Sequence, residues 1–217
     1  MDLLEPLRPG CTMRLLLMRH GALEERANGR CYGQTDFSLS EKGYEQVRRS
    51  VERLRGTQVH ALYTSPLVRA QQSARIAADQ LGIPVLTVPD LYEINVGAFE
   101  NLTYEEIERA YPVEYKSWME HPSTVEFPGG ESFLIMKRRV LGFIANLENI
   151  HAGQTVLLVA HGGVNRIVLA NALGFDDARI FDIPQDYGAL SVIDYFSGAL
   201  SVRMLGQAND GRTCSRE

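Results

Sequence analysis

The chain has 217 residues, of which 45% are hydrophobic and 23% charged, the proportions of an ordinary folded protein that can bury its own core. Its formal net charge of -5 argues against a nucleic-acid partner, because binding to a phosphate backbone requires a basic face. The three cysteines, Cys11, Cys31 and Cys214, are widely spaced and predict neither a disulfide framework nor a zinc knuckle.

The N-terminal segment lacks the features of a secretory signal. Residues 2–10 are acidic and contain proline, where a signal would have a basic region followed by a long apolar run. The apolar run over residues 13–18 is far too short to cross a bilayer and is followed by the charged pair Arg19-His20. We therefore expect a cytoplasmic protein that has no membrane partner.

The first half of the chain alternates strand and helix signals. Short apolar runs predict strands over residues 13–18, 59–63 and 85–88. The first intervening helix is predicted to follow a capping box formed by Ser38 and Glu41. The second is predicted to begin at Ser65 as N-cap, with Pro66 at its first position.

Residues 90–130 have a different character, because they mix aromatic, acidic and proline residues around one short helical piece at 103–111. We expect an inserted lid over one end of the sheet. A long helix is predicted after Ser132.

The last part of the chain returns to strand and helix signals. The unbroken apolar strand over 155–160 predicts a central position in the sheet. A helix over 164–173 and a hairpin over 190–205 follow, and the polar tail from Gly206 is expected to be flexible.

The alternation of strands and helices predicts an α/β fold with three αβα layers and a mostly parallel central sheet. The terminal hairpin is expected at the edge of this sheet. Because the sequence has no repeat or linker, we expect a single domain over residues 1–217. Ligands of such folds bind at the carboxyl ends of the strands.

Two predicted strands end in the same way, with a histidine followed by glycine: His20 after the first strand and His161 after the strand over 155–160. The glycines would let backbone N–H groups approach an anion. Arg19 and Arg69 would add guanidinium groups, which bind phosphate through paired N–H donors. Each residue alone also fits a structural role, a core histidine or a solvated arginine, but their pairing favours an anion pocket.

Five motifs occur in order between about residues 14 and 205. They are Arg19-His20-Gly21; Tyr32-Gly33 through Asp36 with Leu39 through Gly43; Ser65-Pro66 through Arg69-Ala70; Leu91-Tyr92-Glu93 with Gly97; and Ala160-His161-Gly162-Gly163. With these motifs the chain resembles the histidine phosphatase superfamily, the phosphoglycerate mutase-like proteins. The first motif alone would be weak evidence, whereas five in the same order are specific.

The resemblance implies a phosphomonoester hydrolase that forms a phosphohistidine on His20. Arg19, Arg69 and His161 would hold the phosphoryl oxygens, and Glu93 would be the general acid that protonates the leaving alcohol. These groups supply the positive charge that phosphoryl transfer requires, so the resemblance implies no metal and no other cofactor. His20 must be neutral to attack, which neighbouring cations favour, whereas Glu93 must keep its proton, which burial or a nearby phosphate would promote.

Additional phosphate or substrate contacts are expected from Tyr32, Gly33 and Gly162. The family often has Asn six residues after the nucleophile, where this chain has Arg26, so we expect Arg26 or a rearranged Asn28 in that place. Two other departures are Leu23, where Ser or Thr is frequent, and Glu100-Asn101, where Glu-Gly is frequent and only a turn is expected to change.

The strings at 29–36 and 127–132 look most like those of α-ribazole phosphatases, enzymes of cobalamin assembly, and also occur in broad-specificity phosphatases. The interval between Glu93 and His161 is shorter than mutases usually need, which favours hydrolysis. We therefore expect a small phosphorylated metabolite as the partner, with α-ribazole 5′-phosphate as a candidate. The oligomeric state stays open between monomer and homodimer.

Several alternatives remain at this point. A sugar-bisphosphate phosphatase or a mutase would need more basic residues at the pocket, for which Arg26, Arg30 and Lys116 are candidates. A metal-histidine site would need close ligand spacing, which the other histidines, His60, His121 and His151, do not have. A non-catalytic phosphate-binding relative would normally have lost the nucleophile or the acid.

Overall fold

A computed structural model of the chain describes residues 6–207. In this range six strands form one sheet: β1 (Cys11–Arg19), β2 (Ala61–Thr64), β3 (Val85–Thr87), β4 (Gln154–Ala160), β5 (Leu190–Phe196) and β6 (Ala199–Gln207). The α-helices are α1 (Glu41–Glu52), α2 (Val68–Leu81), α3 (Tyr104–Ala110), α4 (Pro112–Glu120), α5 (Phe133–Ile150) and α6 (Gly162–Leu173). Short 3₁₀ helices cover Glu25–Ala27, Pro89–Leu91, Gly97–Phe99 and Asp177–Asp182.

The sheet is mixed, with the strand order β3-β2-β4-β1-β5-β6. The first four strands in this order run parallel, and β5 pairs antiparallel with β1 and with β6. The prediction of an α/β fold with a mostly parallel sheet and an edge hairpin is therefore confirmed. So is the central position of β4, which lies between β2 and β1 and is buried from Thr155 to Ala160.

Helices cover both faces of the sheet, because side chains of successive strand residues point to opposite sides. Leu15 and Leu17 of β1 belong to a core cluster with buried residues of α5 and α6. Leu16 and Met18 belong to a second cluster with residues of α1 and α2. Two apolar layers thus enclose the sheet, which is the predicted three-layer arrangement.

Two helix starts differ from the predicted ones. The N-cap of α1 is Ser40, whose hydroxyl accepts the Gly43 N–H at 3.1 Å, and not Ser38. Helix α2 begins at Val68, because its N-terminal N–H is bound by Asp36 at 2.7 Å. Asp36 is 32 residues distant, so the sequence around Ser65 and Pro66 does not reveal this start.

Residues 90–130 contain two helices where one was predicted, because Pro112 occupies the first turn of α4 and does not end the helical segment. Their side chains pack in a separate cluster around Phe99, with Trp118 and Phe127 in ring contact with it.

The predicted flexible tail begins inside β6, since Gly206 belongs to that strand, and its remainder lies outside the described residues. Among residues 6–207 no helix is long and apolar enough to span a membrane.

Candidate active site

Two imidazoles meet at the carboxyl ends of the central strands. Strands β1 and β4 are parallel, and their last residues, Arg19 and Ala160, lie opposite each other. The residue that follows each strand is a histidine. The N–H of His20 donates to the Ala160 carbonyl at 3.0 Å, and the ring centroids of His20 and His161 are 5.3 Å apart. Both side chains are buried.

The His20 ring is oriented by the backbone carbonyl of the next residue, Gly21. Nδ1 lies 2.8 Å from the Gly21 carbonyl, which can only accept, so Nδ1 carries the proton. In the neutral ring Nε2 then has the free lone pair. Burial lowers the pKa of His20 well below its ordinary value, and the charges of Arg69 and Arg19 lower it further. The imidazole is therefore held neutral and ready to act as a nucleophile.

The pKa of His161 is also lowered well below its ordinary value, first by burial and then by Arg69, His20, Arg19 and Arg139. Neither of its ring nitrogens has a hydrogen-bond partner among the described residues. A buried polar group without a partner is costly, so these nitrogens indicate a place for a polar ligand.

Backbone carbonyls hold both predicted arginines in place, and a different loop holds each arginine. Arg19 donates through Nη1 to the Gln185 carbonyl. Arg69 donates through Nη1 to Thr35 at 2.9 Å and through Nη2 to Gly33 at 2.5 Å. In both side chains the buried Nε has no partner within residues 6–207. Two oriented guanidiniums with unused donors beside two imidazoles form a site suited to a phosphoryl group.

Glu93 joins the site through the first turn of α6. Its Oε2 accepts the Gly163 N–H at 2.9 Å, and its Oε1 accepts the Ile94 N–H at 2.9 Å. A Cβ on Gly163 would lie 2.4 Å from Oε1, so a larger residue at this position would displace the Glu93 carboxyl group. The carboxyl group thus contacts the helix turn that follows His161.

Arg19, His20, Arg69, Glu93 and Gly162 line one cavity of about 300 Å³ together with Tyr32. His161 is fully buried beside His20 and is not part of the cavity lining. Residues of the 90–130 segment form part of its wall, including Tyr104, Trp118, Pro122 and Phe127. The lining of the cavity thus combines charged and aromatic side chains.

Three predicted contact residues lie elsewhere. Arg26 is on the surface, where it pairs with Glu24 at 2.7 Å with 66% of its side chain exposed. Asn28 is exposed at the end of the 3₁₀ helix Glu25–Ala27. The N–H of Gly33 donates to Glu100 and is not free for an anion; its carbonyl holds Arg69 instead.

Other expectations also need correction. The N–H of Gly21 donates to the Ser73 hydroxyl at 3.3 Å, so this glycine offers no N–H to an anion. A Cβ on Gly21 would lie 2.2 Å from the Gly43 carbonyl oxygen, so the glycine serves close backbone packing. Of the further basic candidates, Arg30 lines the cavity, whereas Lys116 is exposed and lies near Glu120.

Sequence reasoning missed four residues around the cavity. Arg166 lines it with a half-buried guanidinium whose Nε donates to Ile183 at 3.0 Å. Arg139 of α5 donates to the Asp90 and Tyr92 carbonyls, each at 2.7 Å, and so holds the segment before Glu93.

Glu100 and Tyr187 are the other two. Glu100 accepts the N–H groups of residues 33–35, and the ring of Tyr187 lies against Arg19. Only the spacing of Arg166, five residues after His161, offered a signal, and a single arginine on a helix is weak evidence.

The arrangement of the titratable side chains bears on the metal alternative. Within the described part of the chain no three or more His, Cys, Asp or Glu side chains are grouped as a metal site requires. His60 and His151 have structural partners: His60 accepts the Thr155 N–H at 3.1 Å, and His151 lies 2.9 Å from the Tyr63 hydroxyl. Cys31 lines the cavity, but burial raises the pKa of its thiol to about 12, so it is not a reactive thiolate.

Comparison with known proteins gives consistent matches. Residues 15–208 match the family described as the histidine phosphatase superfamily (branch 1). The chain is 32% identical over 181 residues to phosphoserine phosphatase 1 of Hydrogenobacter thermophilus, with 83% of this chain and 86% of that protein covered. It is 28% identical over 193 residues to the adenosylcobalamin/alpha-ribazole phosphatase of Escherichia coli, with coverage of 89% and 95%.

A solved structure shows the same similarity in three dimensions. The crystal structure of a putative alpha-ribazole-5'-P phosphatase from Escherichia coli matches with a TM-score of 0.83 at 28% identity. The match covers 90% of this chain and 97% of that chain.

Proposed function

Because the chain belongs to the histidine phosphatase superfamily, we propose that this phosphoric monoester hydrolase acts through a phosphohistidine on His20. One observation carries the proposal. His20, with the lone pair of Nε2 free, lines one pocket with Glu93 and with Arg19 and Arg69, each of which has an unpartnered Nε, and the unpartnered ring of His161 lies beside that of His20.

The first half of the reaction forms the intermediate. His20 Nε2 attacks phosphorus while the bond to the ester oxygen breaks, and the guanidiniums and His161 stabilise the charge on the phosphoryl oxygens. Glu93 gives its proton to the departing alcohol.

The second half returns the enzyme. Glu93, now a carboxylate, accepts a proton from water as the water oxygen attacks phosphorus. The P–N bond breaks, inorganic phosphate leaves, and His20 is neutral again. The positive charge required in both halves comes from side chains, so we propose that the reaction needs no metal ion.

We further propose α-ribazole 5′-phosphate as the first substrate to test, with the 90–130 segment as a lid that contacts the leaving group. The strings at 29–36 and 127–132 and the match to a phosphatase of that name support this choice. Relatives are also named for phosphoserine and for 2-carboxy-D-arabinitol 1-phosphate, so kinship alone does not select one substrate. Broad specificity is therefore the main alternative, and a mutase is less favoured.

The chemistry is tested with an aryl phosphate. His20→Ala should abolish hydrolysis, and the wild-type enzyme quenched during turnover should carry an acid-labile, base-stable phosphoryl group that His20→Ala lacks. Activity should survive prolonged treatment with a chelator. Full activity of His20→Ala, or loss of activity in chelator that a divalent metal restores, would refute the mechanism.

The substrate is tested separately. Values of kcat/KM should be compared for α-ribazole 5′-phosphate, phosphoserine, phosphoglycerates and fructose bisphosphates. A value for α-ribazole 5′-phosphate at least about tenfold above the others, a difference of 1.4 kcal/mol, supports the proposed substrate. Equal values support broad specificity.

A further inference from the structure

Tyr187 contacts the reacting groups, although no step of the proposed reaction uses it. It lies in the segment between the 3₁₀ helix Asp177–Asp182 and β5. The centroid of its ring is 4.1 Å from Arg19 Cζ and 5.6 Å from the centroid of the His20 ring. Its hydroxyl oxygen is 2.8 Å from that of Tyr32.

The two tyrosines belong to the two loops that orient the arginines. The loop of Tyr187 supplies the Gln185 carbonyl that accepts from Arg19. The loop of Tyr32 supplies the carbonyls that accept from Arg69, whose Cζ is 5.5 Å from the centroid of the Tyr32 ring. The bond between the two hydroxyls therefore connects both loops across the phosphate site.

Arg19 is the less constrained of the two guanidiniums. Within the described part of the chain it makes one hydrogen bond, through Nη1, whereas Arg69 makes two. A planar cation held by a single bond can still rotate about that bond. The face of the Tyr187 ring restricts this rotation, because a guanidinium is attracted to an aromatic face, most strongly where water is excluded.

We propose that Tyr187 is a positioning residue of the phosphate site: its ring orients Arg19 and shields His20, and its hydroxyl fixes the two arginine-holding loops relative to each other through Tyr32. This inference rests on the proposed function, since it assigns Tyr187 to the same site.

Shielding has a consequence for pH dependence. The charged and titratable groups that face His20 are Arg19 of β1, Arg69 of α2, His161 after β4, Tyr187 itself and Glu93, which lines the same cavity. Burial is the largest cause of the lowered His20 pKa. Loss of the Tyr187 ring admits water and raises this pKa toward its ordinary value, so the protonated, inactive ring persists to higher pH.

The test compares Tyr187→Phe, Tyr187→Ala, Tyr32→Phe and the double variant Tyr32→Phe/Tyr187→Phe. The matched control is Tyr44→Phe, because the Tyr44 ring lies 5.9 Å from a surface arginine, Arg48, outside the cavity. The measurements are kcat, KM and the pH profile for an aryl phosphate, the inhibition constant of orthovanadate and the thermal unfolding midpoint.

Each phenylalanine variant should lose about 3- to 10-fold in kcat/KM, the worth of one neutral hydrogen bond, and the double variant should lose no more than either single one. Tyr187→Ala should lose about 100-fold and bind orthovanadate more weakly, because misplacement of a binding group by about 1 Å costs this much. The acid limb of the pH profile of Tyr187→Ala should move to higher pH, while that of Tyr187→Phe stays in place. Tyr44→Phe should behave as wild type.

Two results would overturn the inference: additive losses in the double variant, or a folded Tyr187→Ala with wild-type vanadate affinity and acid limb. If Tyr187→Ala does not fold, the double-mutant cycle decides. Wild-type protein that hydrolyses no phosphate ester contradicts the proposed function instead, so the two failures are distinguishable.

Discussion

At the level of single residues, several hydrogen bonds fix the position of Glu93, the proposed general acid. Backbone N–H groups of Ile94 and Gly163 bind one carboxyl oxygen each. The side chains of Arg139 and Gln34 donate to the backbone carbonyl of Glu93, at 3.4 and 3.2 Å. A proton donor held in this way can transfer its proton in one geometry, and the remaining variable is whether the group carries a proton.

Replacement of Glu93 by Gln tests this role, because the amide has nearly the same shape but no acidic proton. We expect kcat/KM for an alkyl phosphate, which reports the reaction only up to formation of the phosphoenzyme, to fall by about 10²- to 10⁴-fold, the usual contribution of a general acid. For p-nitrophenyl phosphate, whose leaving group departs without protonation, the loss should be much smaller. Steady-state kinetics on both substrates, with the exposed Glu108→Gln of α3 as control, measure the difference; equal losses would contradict the assignment.

Among single residues, the sequence identified those that follow strands and missed those that act through tertiary contacts. His20 and His161 could be located because parallel strands end at one edge of a sheet. Arg26 was misplaced because the 3₁₀ helix Glu25–Ala27 turns it toward Glu24 and solvent. Tyr187 was missed because nothing in its local sequence shows that the loop returns to Arg19.

At the level of loops and helices, one carboxylate organises the segment that holds Arg69. Glu100 accepts the N–H groups of Gly33, Gln34 and Thr35, and also the Thr35 hydroxyl. The peptide units then present their carbonyls to Arg69, so the anionic carboxylate on one side of the loop orients the cation on the other. The Glu100-Asn101 departure, for which only an altered turn was expected, therefore lies beside a main support of the site.

Glu100→Ala should release this loop and with it Arg69. We expect KM for an aryl phosphate and the inhibition constant of inorganic phosphate to rise about 10- to 100-fold, the cost of weakening a charge-assisted contact to the phosphoryl group. The variant should still fold, because Glu100 lies outside both clusters that flank the sheet. Competitive inhibition by phosphate is the measurement, and Glu108→Ala serves as control; an unchanged inhibition constant would exclude the link from Glu100 to Arg69.

The ends of strands and helices could be predicted where the local sequence sets them, but not where a distant residue does. The strands were predictable from apolar runs, and β4 in particular from the unbroken run over 155–160, all six residues of which are buried in the structure. The start of α2 was not, because its cap, Asp36, comes from a loop 32 residues away. The second helix of the 90–130 segment was not predicted, because its sequence mixes aromatic, acidic and proline residues, although the proline at its start, Pro112, fits the first turn of a helix.

At the level of the whole molecule, the site is a source of instability. The sheet buries two imidazoles and the Arg69 side chain, and several of their nitrogens have no partner among the described residues. Both imidazoles have a lowered pKa, so folding holds them neutral. The unfolded chain, in which histidine has its ordinary pKa of 6.5, can take up these protons when the folded protein cannot.

The free energy of unfolding should therefore decrease as the pH falls through about 6.5, because protons bind the unfolded state preferentially. Each histidine contributes up to about 1.4 kcal/mol per pH unit, and the two together up to about 2.7 kcal/mol, until the pH reaches the lowered folded-state pKa values. Above pH 6.5 both states are neutral and this contribution vanishes. Urea unfolding between pH 8 and pH 5 measures the slope.

The variants His20→Gln and His161→Gln assign the slope to its source. Each variant removes one of the two titrating rings and should reduce the slope of the unfolding free energy against pH by up to half. The double variant should remove the whole contribution of the two histidines to that slope. Replacement of the exposed His121 should leave the slope unchanged, because its ring is not buried in the site. A double variant with the wild-type slope would show that other groups cause the acid sensitivity. The expected result ties the low pKa of His20, which its proposed role as a nucleophile requires, to a measurable loss of stability in mild acid.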